Sequence, residues 1–147
     1  MRRILGVSLV LLSTLGFAGP LCAQQTGGAG PSGQQDSGFQ IHQNYPNPFN
    51  PTTTIPFSLG ESLFVDGSVE VSVRIYNILQ QEVAIPVPKN HPMGEVPLLG
   101  LEYTTPGVHE AFWDGKDKNG RQVPSGVYLV RLTVNGQSKL MKMYVAK

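Results

Sequence analysis

One cysteine, one tryptophan and few charges mark this chain of 147 residues. Cys22 has no second cysteine to pair with, which excludes an internal disulfide and any thiolate-rich zinc site. Asp, Glu, Lys and Arg make up only 14% of the residues and the formal net charge is +1, so no basic stripe is present to neutralise phosphates and nucleic acid is excluded as a partner. His42, His91 and His109 are scattered and form no metal-ligand set. Gly-x-Ser-x-Gly, phosphate-loop and dinucleotide fingerprints are missing. The chain is therefore expected not to be an enzyme and to use no cofactor or metal. No segment carries a convincing helical period, which leaves an all-β fold.

What is present begins with an export signal. Arg2 and Arg3 are followed by an uncharged apolar run, Ile4 to Phe17, and then by Leu21-Cys22-Ala23. That order is expected of a signal peptide over residues 1–23; the run is too short for a membrane span and no stop-transfer pattern follows. A lipidation motif would place Leu-Ala/Ser-Gly/Ala before the cysteine. Gly19-Pro20-Leu21 stands there instead, so cleavage after Ala23 is expected. Cleavage removes Arg2, Arg3 and Cys22, leaving 9 basic against 10 acidic residues and a chain that must hold together by its core alone. Gln24 to Gly38 is rich in Gly, Gln and Ser and is expected to be a flexible linker. Residues 39–147 are the size of one domain.

Within that domain, apolar residues alternate with polar ones. The pattern predicts strands over Thr53–Leu59, Val69–Tyr76, Glu82–Val87, Val108–Trp113, Gly126–Val134 and Ser138–Val145. Pro56 lacks an N–H, which predicts an edge or a bulge for the first of these. Gly126–Val134 is apolar on both faces and is expected at the centre of a sheet. Asn135-Gly136 predicts a tight hairpin, with further turns at Asn119-Gly120 and Asp66-Gly67. Together these predict an immunoglobulin-like β-sandwich of about seven antiparallel strands.

Three segments could carry more than fold. Asp117, Asn119 and Gly120 follow the order of a calcium loop, but Lys116 and Lys118 would put positive charge in it and no later glutamate closes it, so a hairpin loop is expected. Trp113 is expected to anchor the sheets, a sugar platform being the alternative. Tyr45-Pro46-Asn47-Pro48-Phe49-Asn50-Pro51 alternates prolines with Asn and Phe, which predicts a stiff extended lead-in that seats Tyr45 and Phe49 on the sandwich.

At these residues the chain resembles the C-terminal sorting domain (type A) of type IX secretion cargo, a relative of the immunoglobulin-like domain of the flagellar hook-capping protein. The resemblance covers Phe39 to Lys147. It rests on Gln43-Asn44-Tyr45-Pro46-Asn47-Pro48-Phe49-Asn50-Pro51-Thr52-Thr53, on the block from Val71 to Val83, on Pro106-Gly107-Val108-His109, Phe112-Trp113-Asp114-Gly115 and Gly120 to Tyr128 (with Gly126), and on the tail Lys142-Met143-Tyr144-Val145-Ala146-Lys147. Gln80 departs from it, standing where the family usually has a turn glycine. The resemblance implies export to the periplasm, recognition by the type IX machinery at the outer membrane, release or cell-surface display, and in some cases attachment to surface lipopolysaccharide, in a Gram-negative host of the Bacteroidetes group. It implies a structural role for Tyr45 to Pro51, Trp113, Asp114, Gly115, Gly120, Gly126 and Tyr128. Recognition is expected from Lys147, Tyr144 and the face formed by Met141, Met143 and Val145, the terminal strand being suited to a receptor that adds to a sheet edge.

Two features depart from that picture. The only cargo would be Gln24 to Gly38, so either the domain is itself the product or the chain is a piece of a larger protein. The connection from Pro86 to Pro106 is longer than the family's, and it holds Met93, Val96, Leu98, Leu99, Leu101 and Tyr103. These are expected to pack on the protein's own sheet; the alternative is a contact patch for self-association in a surface filament. An adhesive or carbohydrate-binding module is a further alternative, resting on Trp113 and the tyrosines.

Overall fold

Period-two alternation becomes two facing antiparallel sheets in the computed structural model, which describes residues 37–147. The strands are β1 (Phe39–Ile41), β2 (Thr53–Leu59), β3 (Val69–Asn77), β4 (Glu82–Ala84), β5 (Val87–Pro88), β6 (Leu101–Tyr103), β7 (Gly107–Trp113), β8 (Gly126–Val134) and β9 (Gln137–Val145). One sheet has the order β1-β2-β7-β5. The other has the order β4-β3-β8-β9, with β6 also paired to β3. The signal peptide, Cys22 and most of the predicted linker lie outside the described residues.

The inward-facing residues of each strand supply the core. Val69, Val71, Val73 and Ile75 of β3 meet Ile55, Phe57 and Leu59 of β2 across the sandwich, and all seven are buried. Each such side chain contributes about 1.5–3 kcal/mol of transfer free energy, set against the entropy of ordering the chain. Asn135 (φ 46°) and Gly136 (φ 83°) form the two-residue turn between β8 and β9. Both take the left-handed conformation that the twist of the flanking strands requires. Tyr128 donates its hydroxyl to the Pro124 carbonyl at 2.9 Å, the tyrosine corner found in many sandwiches of immunoglobulin type.

Three expectations change. β2 is a central strand, not an edge. Pro56 is tolerated there because its missing N–H faces β1 at the last rung, where its carbonyl accepts from His42 N–H at 2.9 Å and β1 has ended. Glu82–Val87 is not one strand: β4 joins one sheet and β5 the other, so the chain crosses between sheets at Ile85-Pro86. The long connection adds β6 on β3, which with β1 raises the count to nine strands among the described residues.

That connection also corrects the patch reading. Leu98 and Tyr103 are buried in the core, and Val96 and Leu101 are half-buried. Leu98 N–H donates to the Pro86 carbonyl, and its own carbonyl accepts from Val73 N–H, both at 2.9 Å. Only Met93 and Leu99 of the six remain well exposed, so they form no contiguous apolar surface. The Tyr103 ring lies among Phe57, His91 and His109, with centroids 5.7, 4.8 and 4.7 Å away. Its buried hydroxyl has no hydrogen-bond partner, and burial pushes its pKa up to about 12.

Candidate functional site

The sequence blocks that stood far apart meet at one end of the sandwich. Asn44 starts the arrangement. It is buried, donates to Thr53 Oγ1 at 2.9 Å and to the Pro46 carbonyl at 3.1 Å, and accepts from Gln43 Nε2 at 2.7 Å. A short amide side chain thus satisfies backbone that a proline-rich segment leaves out of any ladder. Tyr45 pairs with Thr54 of β2 through two backbone bonds of 2.9 Å. The segment then crosses to the other sheet, with cis bonds before Pro46, Pro48 and Pro51.

There it closes on β9. Phe49 N–H donates to the Tyr144 carbonyl at 3.0 Å, and Ala146 N–H donates to the Phe49 carbonyl at 3.1 Å. Asn47 Oδ1 accepts from Tyr144 N–H at 3.1 Å. The result is a short parallel bridge, Phe49 to Val145, that latches the proline segment to the outer edge of the terminal strand. The Phe49 ring is buried edge-on against Trp113 at 5.2 Å, and Trp113 meets Tyr128 at 5.8 Å. Trp113 Nε1 donates to the Lys116 carbonyl at 2.9 Å, so the indole is both buried and satisfied. Burial leaves no face of Trp113 for a sugar, which removes the platform reading.

Gly115 explains the Trp-Asp-Gly block. Its φ is +74°, and a Cβ there would collide with the Pro51 carbonyl and with Gln122 Nε2. Its own carbonyl accepts from Gln122 Nε2 at 3.0 Å and from Val123 N–H at 2.9 Å. The loop beyond it is a hairpin, not a cation site. Asp117 Oδ1 accepts from the N–H groups of Asn119 at 2.8 Å and Arg121 at 3.0 Å, and Gly120 supplies φ +75°. Lys147 N–H donates to Ser125 Oγ at 3.1 Å and ties down the tail.

The geometry corrects part of the recognition face. Met143 and Val145 are buried and Met141 packs partly against the core, so these side chains hold β9 in place. Leu140, Lys142 and Tyr144 point the other way and are exposed, as is Lys147. Nor is Tyr45 seated like Phe49. It is half-exposed, and its hydroxyl donates to Glu110. Asn44, Gln122 and Ser125 escaped the sequence reading; the only signal for Asn44 was a short polar residue beside an X-Pro turn.

Charge at this end is local. Lys118, and then Arg74, hold the Glu82 carboxylate below the ordinary glutamate range, with contacts of 2.5 and 2.7 Å. The Tyr45 hydroxyl and Lys89 do the same for Glu110. These pairs fix loops and supply no acid–base partner for a reaction. Among the described residues no group of three or more His, Cys, Asp or Glu could hold a metal.

No known family profile matches the chain, and no characterised protein matches it in sequence. Two solved structures resemble it in shape. One is PorZ, an essential bacterial surface component of the type-IX secretion system of Porphyromonas gingivalis, with 21% identity, 79% of this chain and 13% of that chain covered, and a TM-score of 0.42. The other is dimeric latent PorU from Porphyromonas gingivalis, with 25% identity, 73% of this chain and 9% of that chain covered, and a TM-score of 0.48. The chain thus matches a small part of each.

Proposed function

We propose that the domain is a non-enzymatic sorting signal for type IX secretion, carried through the periplasm and outer membrane to the surface or the medium. One observation carries this reading. The motif blocks on which the sequence resemblance rests, spread from Gln43 to Lys147, assemble into a single structural unit: Phe49 on Trp113 and Tyr128, Pro51 on Gly115, Asn47 and Phe49 on Tyr144 to Ala146. Chance matches scattered along a β-sandwich have no reason to converge. The latch displays one face of the terminal strand while burying the other, so a receptor meets Leu140, Lys142, Tyr144 and Lys147 on a rigid support. Display of the mature protein, with or without lipopolysaccharide attachment, belongs to the same reading.

The test is a fusion. Residues 39–147 are placed behind a signal peptide and a fluorescent protein in a type IX-competent host. Export to the surface or medium is expected, and Tyr144→Ala with Lys147→Ala should leave the protein folded but held in the periplasm. Periplasmic retention of the parent fusion, or unchanged export after deletion of Tyr144 to Lys147, would refute the reading.

A further inference from the structure

The outer edge of β9 is only half covered. Alternation along the strand sends the N–H and C=O groups of Met141 and Met143 toward β8, and those of Ser138, Leu140, Lys142 and Tyr144 outward. Tyr144 is satisfied by Asn47 and Phe49, and the Lys142 carbonyl accepts a long contact of 3.4 Å from Gln43 Nε2. At Ser138 and Leu140 the latch does not reach, and the outward backbone groups meet no other strand. The Leu140 side chain is exposed beside them. Edges of this kind are usually guarded by free lysines, but Lys139 is drawn aside: its Nζ donates to the Phe39 carbonyl at 2.6 Å and sits over the Phe39 ring.

The charge of the edge is one-sided. Arg131 pairs across from Leu140, Lys139 and Lys142 flank it, and no acidic residue occurs after Asp117. Asp66 is the carboxylate beside the Lys139 end, lining the same hollow. We propose that this open half-edge accepts an extended acidic segment of a partner protein by strand addition, with backbone bonds at Ser138 and Leu140 and carboxylates facing Lys142 and Arg131. Pairing with the β9 of a second copy is disfavoured because it would crowd Lys139 and Lys142 of both chains into one short ribbon. The latch sets the length of the docked strand, since Asn47 and Phe49 already occupy the Tyr144 end. This inference rests on the proposed function only for the identity of the natural partner.

The experiment uses the purified chain and two labelled peptides, one alternating glutamate with valine and one alternating lysine with valine. Fluorescence anisotropy should show the glutamate peptide binding at least about tenfold more tightly than the lysine peptide, and weakening severalfold between about 50 and about 300 mM salt. Leu140→Pro removes an outward N–H without touching the ladder to β8, so it should abolish binding while the melting temperature stays close to the parent's. Lys142→Glu leaves the backbone intact and should weaken glutamate-peptide binding about fivefold or more. No binding of the glutamate peptide, equal binding of both peptides, or binding that survives Leu140→Pro in a folded variant would overturn the proposal. A concentration-dependent dimer lost in Leu140→Pro would assign the edge to a second copy and also overturn it. Peptide binding in a chain whose fusion fails to export would leave the edge standing and refute the sorting reading alone.

Discussion

Gly115 and Gly120 offer a controlled pair. Both are in the hairpin beyond Trp113, and their φ values are +74° and +75°. Only their surroundings differ: a Cβ at Gly120 meets nothing within 4 Å, whereas one at Gly115 collides with the Pro51 carbonyl. Alanine in the left-handed region costs roughly 1–2 kcal/mol, and about half of that returns because alanine has fewer unfolded conformations to lose. Gly120→Ala should therefore destabilise the domain by about 1 kcal/mol and lower Tm by roughly 5 °C. Gly115→Ala carries the same conformational cost plus an overpacking cost of about 1–3 kcal/mol, since a backbone carbonyl must retreat and Phe49 is two residues from Pro51. A loss of about 3 kcal/mol and roughly 15 °C is expected. Urea and thermal melts of the two variants give the difference, and amide exchange at Ala146 shows whether the latch loosens in Gly115→Ala alone. Equal losses in the two variants, or an Ala146 amide equally protected in both, would refute the close approach of Pro51.

Gln80 holds φ +61° in the turn where Asn77 Oδ1 accepts from the N–H groups of Leu79 and Gln81; Gln80→Gly should stabilise the domain by about 0.5–1 kcal/mol, seen as a higher urea midpoint at unchanged slope. Tyr103→Phe removes a buried hydroxyl that has no partner and should stabilise by about 1 kcal/mol. The raised Tyr103 pKa gives this group's stability in full below pH 10.0 and loses it as pH climbs toward 12, so the parent should weaken over that window and Tyr103→Phe should not share this contribution. Glu82 works in the opposite direction. Its lowered pKa contributes stability above the ordinary glutamate value of 4.5 that is lost as pH falls through the lowered one, so acid titration of Glu82→Gln should show a shallower loss below that point.

Legibility in the sequence followed how local each cause was. Asn135-Gly136 announced its turn because the requirement for positive φ is written in two adjacent residues. Val69 to Ile75 announced a buried face because alternation is a property of the strand itself. Pro56 misled: its chemistry forbids one hydrogen bond, but which neighbour would have received that bond depends on where β1 stops. Glu82–Val87 misled in the same way, because crossing between sheets leaves no mark on apolar spacing. For the terminal strand, the alternation of Met141, Met143 and Val145 was visible and its sign was not. An apolar face suits a core and a receptor equally, and only the placement of Phe49 and Trp113 decides between them. Asn44 was least legible, since its role exists only once Thr53 and Pro46 lie beside it.

The latch has a consequence for timing. Asn47 and Tyr144 stand 97 positions apart, so their contact closes a loop containing nearly the whole domain. A closure of that span carries a large entropic cost until the intervening sheets have paired, which makes it a late step in folding and an early one in opening. The exposed face of the terminal strand therefore becomes rigid only in a chain whose Trp113, Gly115 and Tyr128 are already in place. A partner that needs that rigidity would pass over immature or damaged copies without any separate inspection, and the final strand would serve as a certificate of completed folding.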